Sequence, residues 1–218
     1  MTLLSNILST WWGIYLFCIL VYCIGSISGS MVLGKLRGID IRKEGSGNAG
    51  ATNALRTVGL SFAIGVMLID VLKGFLPIFF VSQMDSIANI DQIIVLFAIS
   101  AVIGHVYPLY YGFRGGKGAG TLVGVILAVS PSSFLYILAS WIIMLVLTGY
   151  VGLSTMIAGM SFVVVLYFSQ GIEIFSQSLG FFSIFISLFL IFTHRENIMR
   201  MYNGNENQFK KIMLFKSK

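Results

Sequence analysis

Residues 58–81 read VGLSFAIGVMLIDVLKGFLPIFFV, an apolar run broken only by Asp70 and Lys73. At about 1.5 Å of rise per helical residue, such a run crosses the roughly 30 Å of a bilayer core. The rest of the 218-residue chain has the same character, with 57% hydrophobic and 10% charged residues. Ordinary soluble domains carry about 25% charged residues. So few charges cannot clothe a water-facing surface, and the main solvent is predicted to be lipid.

Outward from this run, further spans are predicted at 11–36, 92–111, 118–130, 132–150, 151–169 and 174–193. The run 118–130 rises only about 20 Å as a helix, and Ser130-Pro131-Ser132-Ser133 ends it with a break. It reads as a short span or as half of a bent helix. Charge sidedness decides the count. Lys35, Arg37, Arg42, Lys43 and Arg56 flank the first polar loop, Arg114 and Lys117 the third, and Arg195, Arg200, Lys210, Lys211, Lys216 and Lys218 the tail. Seven spans put all of these on one face, as the positive-inside rule requires, whereas six would separate the tail from the loops. The expectation is an all-α integral membrane protein of seven transmembrane helices. Its N-terminus lies outside, its C-terminus is cytoplasmic, and residues 1–218 form a single polytopic domain.

The net charge of +6 follows this sidedness and is not read as a nucleic-acid surface. No basic residue precedes Lys35, so the first run is read as a retained helix and not a cleaved signal peptide. Cys18 and Cys23 lie in an apolar run with no His or acidic neighbour, which is not a metal spacing. Neither a metal nor a cofactor is expected. Residues 203–218 (NGNENQFKKIMLFKSK) alternate basic and apolar side chains and read as an interfacial segment or a frayed end.

Chemistry concentrates in the loops. The first holds Gly45-Ser46-Gly47-Asn48-Ala49-Gly50-Ala51-Thr52-Asn53, then Arg56. Its glycines allow backbone N–H groups to converge into an anion-binding nest. Ser46, Asn48, Thr52 and Asn53 add neutral donors, and Arg56 adds a fork suited to phosphate. The GxGxxG match is a decoy, because no βαβ unit surrounds it. The third loop holds Phe113-Arg114-Gly115-Gly116-Lys117-Gly118-Ala119-Gly120-Thr121 just before a predicted helix start, where backbone donors and the Lys117 ammonium form a second anion site. Tyr111 and Gly118 exclude a Walker A loop.

His105 is read as a helix-end residue hydrogen-bonded to backbone. For His194, a site role and a bland interfacial role stand level. His194 and Asn197 lie three apart on one face of a continuing helix, with Arg195 and Glu196 turned away. Asp70 and Lys73, at i and i+3, read as a mutually neutralising structural pair. Gly25-Ser26-Ile27-Ser28-Gly29-Ser30 reads as a small-residue packing face.

These blocks resemble the bacterial acyl-phosphate:glycerol-3-phosphate acyltransferase family, the PlsY type. GSIS, GSGNAGATNALRTVG, DVLKG, GHVYPLYYGFRGGKGAGT and HRENIMR occur in the family's order over nearly the whole chain. The resemblance implies a bacterial inner-membrane enzyme with its active site facing the cytoplasm, and acyl phosphate, glycerol 3-phosphate and membrane lipid as partners. The soluble enzyme that makes acyl phosphate is a candidate partner at the basic face. Gly45, Ser46, Gly47, Asn48, Thr52, Asn53, Arg56, Gly115, Gly116 and Lys117 would bind phosphates. Ser46, Lys117, His194 and Asn197 would be catalytic, with His194 and Asn197 placing the glycerol hydroxyls. Either a donor phosphate oxygen or His194 would take the hydroxyl proton. Gly152 stands where relatives usually carry a serine, and Ser154 or Thr155 would substitute for it. A permease would show related halves and a mid-bilayer polar site, and the sequence has neither.

Overall fold

The computed structural model describes residues 3–84 and 87–214, and the chain divides into two compact units, Met1–Ser130 and Pro131–Lys218. Among the described residues every regular element is helical.

The first unit contains α1 (Leu3–Leu8), α2 (Trp11–Gly25), α3 (Gly29–Leu36), α4 (Ala51–Thr57), α5 (Leu60–Ser82), α6 (Ile90–Val106) and α7 (Ala119–Val129). Thr10 caps α2 by accepting the Gly13 N–H at 3.1 Å. The run predicted as one continuous first span is instead broken, and α2 and α3 are bent by 45°. Glycine and serine are weak helix formers, and Ser28 takes an extended conformation between the two helices. Backbone groups freed by a break in an apolar setting need internal partners. The Asp70–Lys73 pair, 2.9 Å apart as the spacing predicts, supplies them. Lys73 Nζ donates to the Ile27 carbonyl at 2.7 Å, and the Gly29 N–H donates to Asp70 Oδ1 at 3.2 Å.

Small residues let these helices cross closely, as expected where lipid removes the hydrophobic drive between helices. Gly25 faces the Ala101 backbone, and Gly124 faces the Val71 carbonyl. α7 has 11 residues, about 16 Å of rise, so the fourth apolar run is short as predicted. Among the described residues, four helices are long and apolar enough to cross a membrane, or up to six if each bent pair is one span.

The second unit contains α8 (Pro131–Thr148), α9 (Val151–Gln170), α10 (Ser178–Thr193) and α11 (Arg195–Tyr202). Pro131 opens α8, where its missing N–H costs nothing. The start predicted for α10 at residue 174 falls instead in a 3₁₀ turn, Ile172–Ser176. Phe162, Leu166, Phe182, Ile186 and Leu190 form the buried centre. Ser187 Oγ donates to the Gly159 carbonyl at 2.7 Å, joining α10 to α9. Such interhelical bonds average about 0.6 kcal/mol in a membrane protein.

Residues 203–214 are tied back to the second unit and not frayed. The Phe209 and Leu214 N–H groups donate to the carbonyls of Gly149 and Val146 at 2.9 and 3.0 Å, and Gln208 Nε2 donates to that of Thr148 at 3.2 Å. The last carbonyls of a helix lack intrahelical partners, and here the tail meets two of those of α8, Val146 and Thr148, and the Gly149 carbonyl just beyond it. Phe215, Lys216 and Lys218 lie outside the described residues.

Candidate functional site

The first glycine loop sits on an apolar floor of Ile41, Ala49, Ala54, Phe62, Ala63 and Val66. Asn53, only 1% exposed, braces it from α4. Its Oδ1 accepts the Ser46 N–H at 2.9 Å, and its Nδ2 donates to the carbonyls of Ile41 and Glu44 at 3.1 and 2.9 Å. The Gly47 N–H donates to the Glu44 carbonyl at 3.0 Å. The nest expected from the glycines is therefore corrected at two positions: the Ser46 and Gly47 N–H groups are bonded inward and shape the loop. Both amide hydrogens of Asn53 are likewise committed. Ser46, Asn48 and Thr52 are half-buried and Arg56 is exposed, so side chains form the accessible polar rim.

The Gly115-Gly116-Lys117 loop lies against the end of α6. The Gly115 and Gly116 N–H groups donate to the carbonyls of Val106 and His105 at 3.1 and 3.2 Å. A Cβ on Gly116 would strike the His105 imidazole, and one on Gly115 the His105 carbonyl. Only glycine permits this approach. Lys117 is half-buried and immediately precedes Gly118, the residue that caps α7 at φ 90°. The helix start predicted there is present.

Side chains missed in the sequence tie these loops together. Arg42 forms a two-pronged bridge to Asp40, with Nε and Nη2 each 3.0 Å from a carboxylate oxygen, while its Nη1 donates to the Tyr111 carbonyl at 3.0 Å. The bridge holds the Asp40 carboxyl below its ordinary pKa and raises that of Arg42. Ser30 Oγ donates to the Ala49 carbonyl at 3.0 Å, and Ser26 Oγ accepts the Leu109 N–H at 3.2 Å. Nothing in the spacing of Arg42 or Ser30 marks them beforehand. His105 is 4% exposed, with Nδ1 3.6 Å from Asp70 Oδ1. Its side chain therefore faces a carboxylate and not the backbone carbonyl expected of a helix end.

In the second unit, His194 and Asn197 are buried at the α10–α11 junction, whereas Arg195 and Glu196 are exposed as predicted. The helix does not continue through them but bends by 51°. His194 Nδ1 lies 2.8 Å from the Leu190 carbonyl. A carbonyl only accepts, so Nδ1 carries the proton and Nε2 is the basic nitrogen of the neutral ring. Asn197 Nδ2 donates to Glu206 Oε1 at 2.8 Å, and Arg200 Nε donates to Glu206 Oε2 at 2.7 Å. Glu206 carries no motif signal, since its partners lie six and nine residues away across a turn. Gly152 faces the Asn197 side chain, where an added Cβ would lie 2.8 Å from Nδ2. Ser154 and Thr155, the candidate replacements for a hydroxyl at 152, donate to the carbonyls of Tyr150 and Val151 at 2.8 and 2.9 Å.

Apolar helices of spanning length define an all-helical, multi-pass membrane protein, whose two glycine loops lie beside Arg56 on α4 and Lys117. The family described as Glycerol-3-phosphate acyltransferase matches residues 15–204. A glycerol-3-phosphate acyltransferase of Aquifex aeolicus is 37% identical over 192 residues, covering 88% of this chain and 96% of the relative. That of Bacillus subtilis is 38% identical over 198 residues, covering 90% and 98%. Crystal structures of PlsY (YgiH), an integral membrane glycerol 3-phosphate acyltransferase, superpose with TM-scores of 0.82 for the glycerol 3-phosphate form and 0.80 for the lysophosphatidic acid form. Both are 35% identical and cover 90% of this chain and 95% of the other. The chain belongs to the glycerol-3-phosphate acyltransferase family.

Proposed function

We propose that the protein transfers a fatty acyl group from acyl phosphate to the 1-hydroxyl of sn-glycerol 3-phosphate, forming lysophosphatidic acid and inorganic phosphate for phospholipid synthesis. The observation that carries this is the extended likeness to an acyltransferase crystallised in both a glycerol 3-phosphate and a lysophosphatidic acid form. The match at 15–204 runs through both units, which supports a single acyltransferase domain. Charge sidedness supports seven spans in a bacterial inner membrane, with α7 the short one, the N-terminus outside, and the C-terminus and active site in the cytoplasm.

The residue roles rest on chemistry and position. Ser46 and Asn48 on the first loop, Thr52 and Arg56 on α4 next to it, and Lys117 on the second loop take the phosphates, with Arg56 and Lys117 neutralising them. Gly45, Gly47 and Asn53 keep the first loop in shape, and Gly115 and Gly116 do so for the second. His194 and Asn197 receive the glycerol hydroxyls. Acyl phosphate is an activated donor, so placement of the hydroxyl beside the carbonyl and stabilisation of the oxyanion are the main demands. The C–O bond to glycerol forms, the acyl–phosphate bond breaks, and the hydroxyl proton passes to a phosphate oxygen. His194 is the competing base, with Nε2 as its accepting atom. The acyl tail lies in an apolar setting, where each buried methylene contributes about 0.8 kcal/mol. The soluble enzyme that makes acyl phosphate would dock at the basic face.

Purified protein supplied with acyl phosphate and glycerol 3-phosphate should release phosphate and lysophosphatidate in equal amounts. Absence of product refutes the activity. His194→Gln separates the two bases: a modest loss with an unchanged acid limb of the pH–rate profile excludes His194, and near-total loss with binding intact excludes the donor phosphate.

A further inference from the structure

We propose that Asp70 and Lys73 are positioning residues for acyl transfer: the pair fixes the break in the first span, and the break anchors both glycine loops. The proposal rests on the acyltransferase activity above. An ion pair needed only to neutralise two charges would require nothing beyond its own two groups. Here each member also bonds backbone at the α2–α3 break, Lys73 to the Ile27 carbonyl and Asp70 to the Gly29 N–H. Both are almost fully buried, at 5% and 2% exposure. Such pairs are commonly replaceable by apolar side chains without loss of stability. An ionisable pair kept inside an apolar span therefore points to function.

From the break, two routes lead to the loops. Ser30, in the first turn of α3, donates to the Ala49 carbonyl of the first loop, and Ser28 Oγ lies 3.2 Å from Ser30 Oγ. Ser26, at the end of α2, accepts the Leu109 N–H of the third loop. A further path starts at Asp70 itself. Its carboxylate faces the His105 imidazole, that imidazole lies against Gly116, and the His105 carbonyl holds the Gly116 N–H, one residue before Lys117. One buried pair thereby sets the placement of the Ser46–Asn48 rim and of Lys117. A shift of about 1 Å in such supporting structure is enough to cost roughly 100-fold in rate.

The test uses the full chain in detergent, with acyl phosphate and glycerol 3-phosphate as substrates and thermal unfolding as the control for folding. Asp70→Asn/Lys73→Met carries no buried charge. It should stay folded but unfold at a lower temperature, because the Ile27 carbonyl loses its donor, while the KM for each phosphorylated substrate rises roughly tenfold or more, the change a displaced positioning group produces. A folded double variant with wild-type KM values overturns the proposal. Should that variant fail to fold, Ser30→Ala leaves the ion pair in place and removes the tie to Ala49 together with the contact to Ser28 Oγ. It should raise KM roughly threefold or more with unchanged unfolding, and Ser30→Thr, which keeps the hydroxyl, should restore it. Wild-type KM in Ser30→Ala overturns the proposal equally. A wild-type protein that forms no lysophosphatidate refutes the acyltransferase activity itself, and the positioning role falls with it.

Discussion

Asn197 Nδ2 donates to Glu206 Oε1 at 2.8 Å, and the other oxygen of that carboxylate receives Arg200 Nε at 2.7 Å. A carboxylate only accepts, so it fixes which end of the Asn197 amide faces it and sends Oδ1 to the opposite side. Glu206→Ala should reduce turnover roughly tenfold or more. It should also destabilise the protein by about 1–3 kcal/mol, because a buried donor and a guanidinium lose their acceptor. Glu206→Gln keeps an acceptor for Asn197 and should retain more activity than the alanine variant. Thermal unfolding and steady-state turnover of the two variants check this, and equal behaviour contradicts it.

Gly152 controls the same amide sterically. A Cβ at 152 would lie 2.8 Å from Nδ2, 2.9 Å from Cγ and 3.0 Å from Cβ of Asn197. Gly152→Ala should therefore turn the Asn197 side chain and cut kcat/KM for glycerol 3-phosphate by roughly three- to tenfold, a change of about 1 kcal/mol. The unfolding temperature should barely move. Wild-type kinetics would show that Asn197 tolerates displacement.

Gly116→Ala drives a methyl group into the His105 ring. The loop must lift, carrying Lys117 with it, and KM for the phosphorylated substrates should rise roughly tenfold with the protein still folded. Titration with glycerol 3-phosphate at saturating donor measures this, and unchanged KM would remove Lys117 from the phosphate site.

The Arg42 fork binds Asp40 and the Tyr111 carbonyl at once. Lysine presents a single point charge and cannot replace the planar fork, so Arg42→Lys should raise KM for both substrates. The Asp40 carboxyl is depressed in the folded protein from an ordinary value of 3.8. A depressed carboxyl lends stability above its unfolded pKa and loses it as pH falls through the lower folded value. The bridge is thus intact throughout the neutral range. Asp40→Asn should lower activity by a constant factor there without moving the pH optimum, and a displaced optimum would contradict the assignment.

The legible parts of the fold were those written in hydropathy: the long runs that became α5, α8 and α9, the short α7 before Pro131, and the helix start after Lys117. The break between α2 and α3 was not, because its groups are satisfied by Asp70 and Lys73 some 40 residues on, beyond any local period. For the same reason the pair was recognisable at i and i+3 while its second set of bonds was not. The glycine loops were located correctly, yet the inward-turned Ser46 and Gly47 N–H groups depend on Asn53, whose side chain could equally have faced ligand. Glu206 and Arg42 were silent, since a single charged residue in a basic or polar loop has no pattern to distinguish a brace from a solvated surface group.

The acceptor that orients Asn197 is threaded after the last helix. A polypeptide cut at Tyr202 would keep all eleven described α-helices and still lack Glu206, along with the Phe209 and Leu214 N–H groups that meet the carbonyls of Gly149 and Val146. Truncated or proteolytically clipped protein would therefore keep its helices yet be less stable and slower in turnover. Assays of lipid synthesis should therefore be run on protein shown to be intact through Leu214.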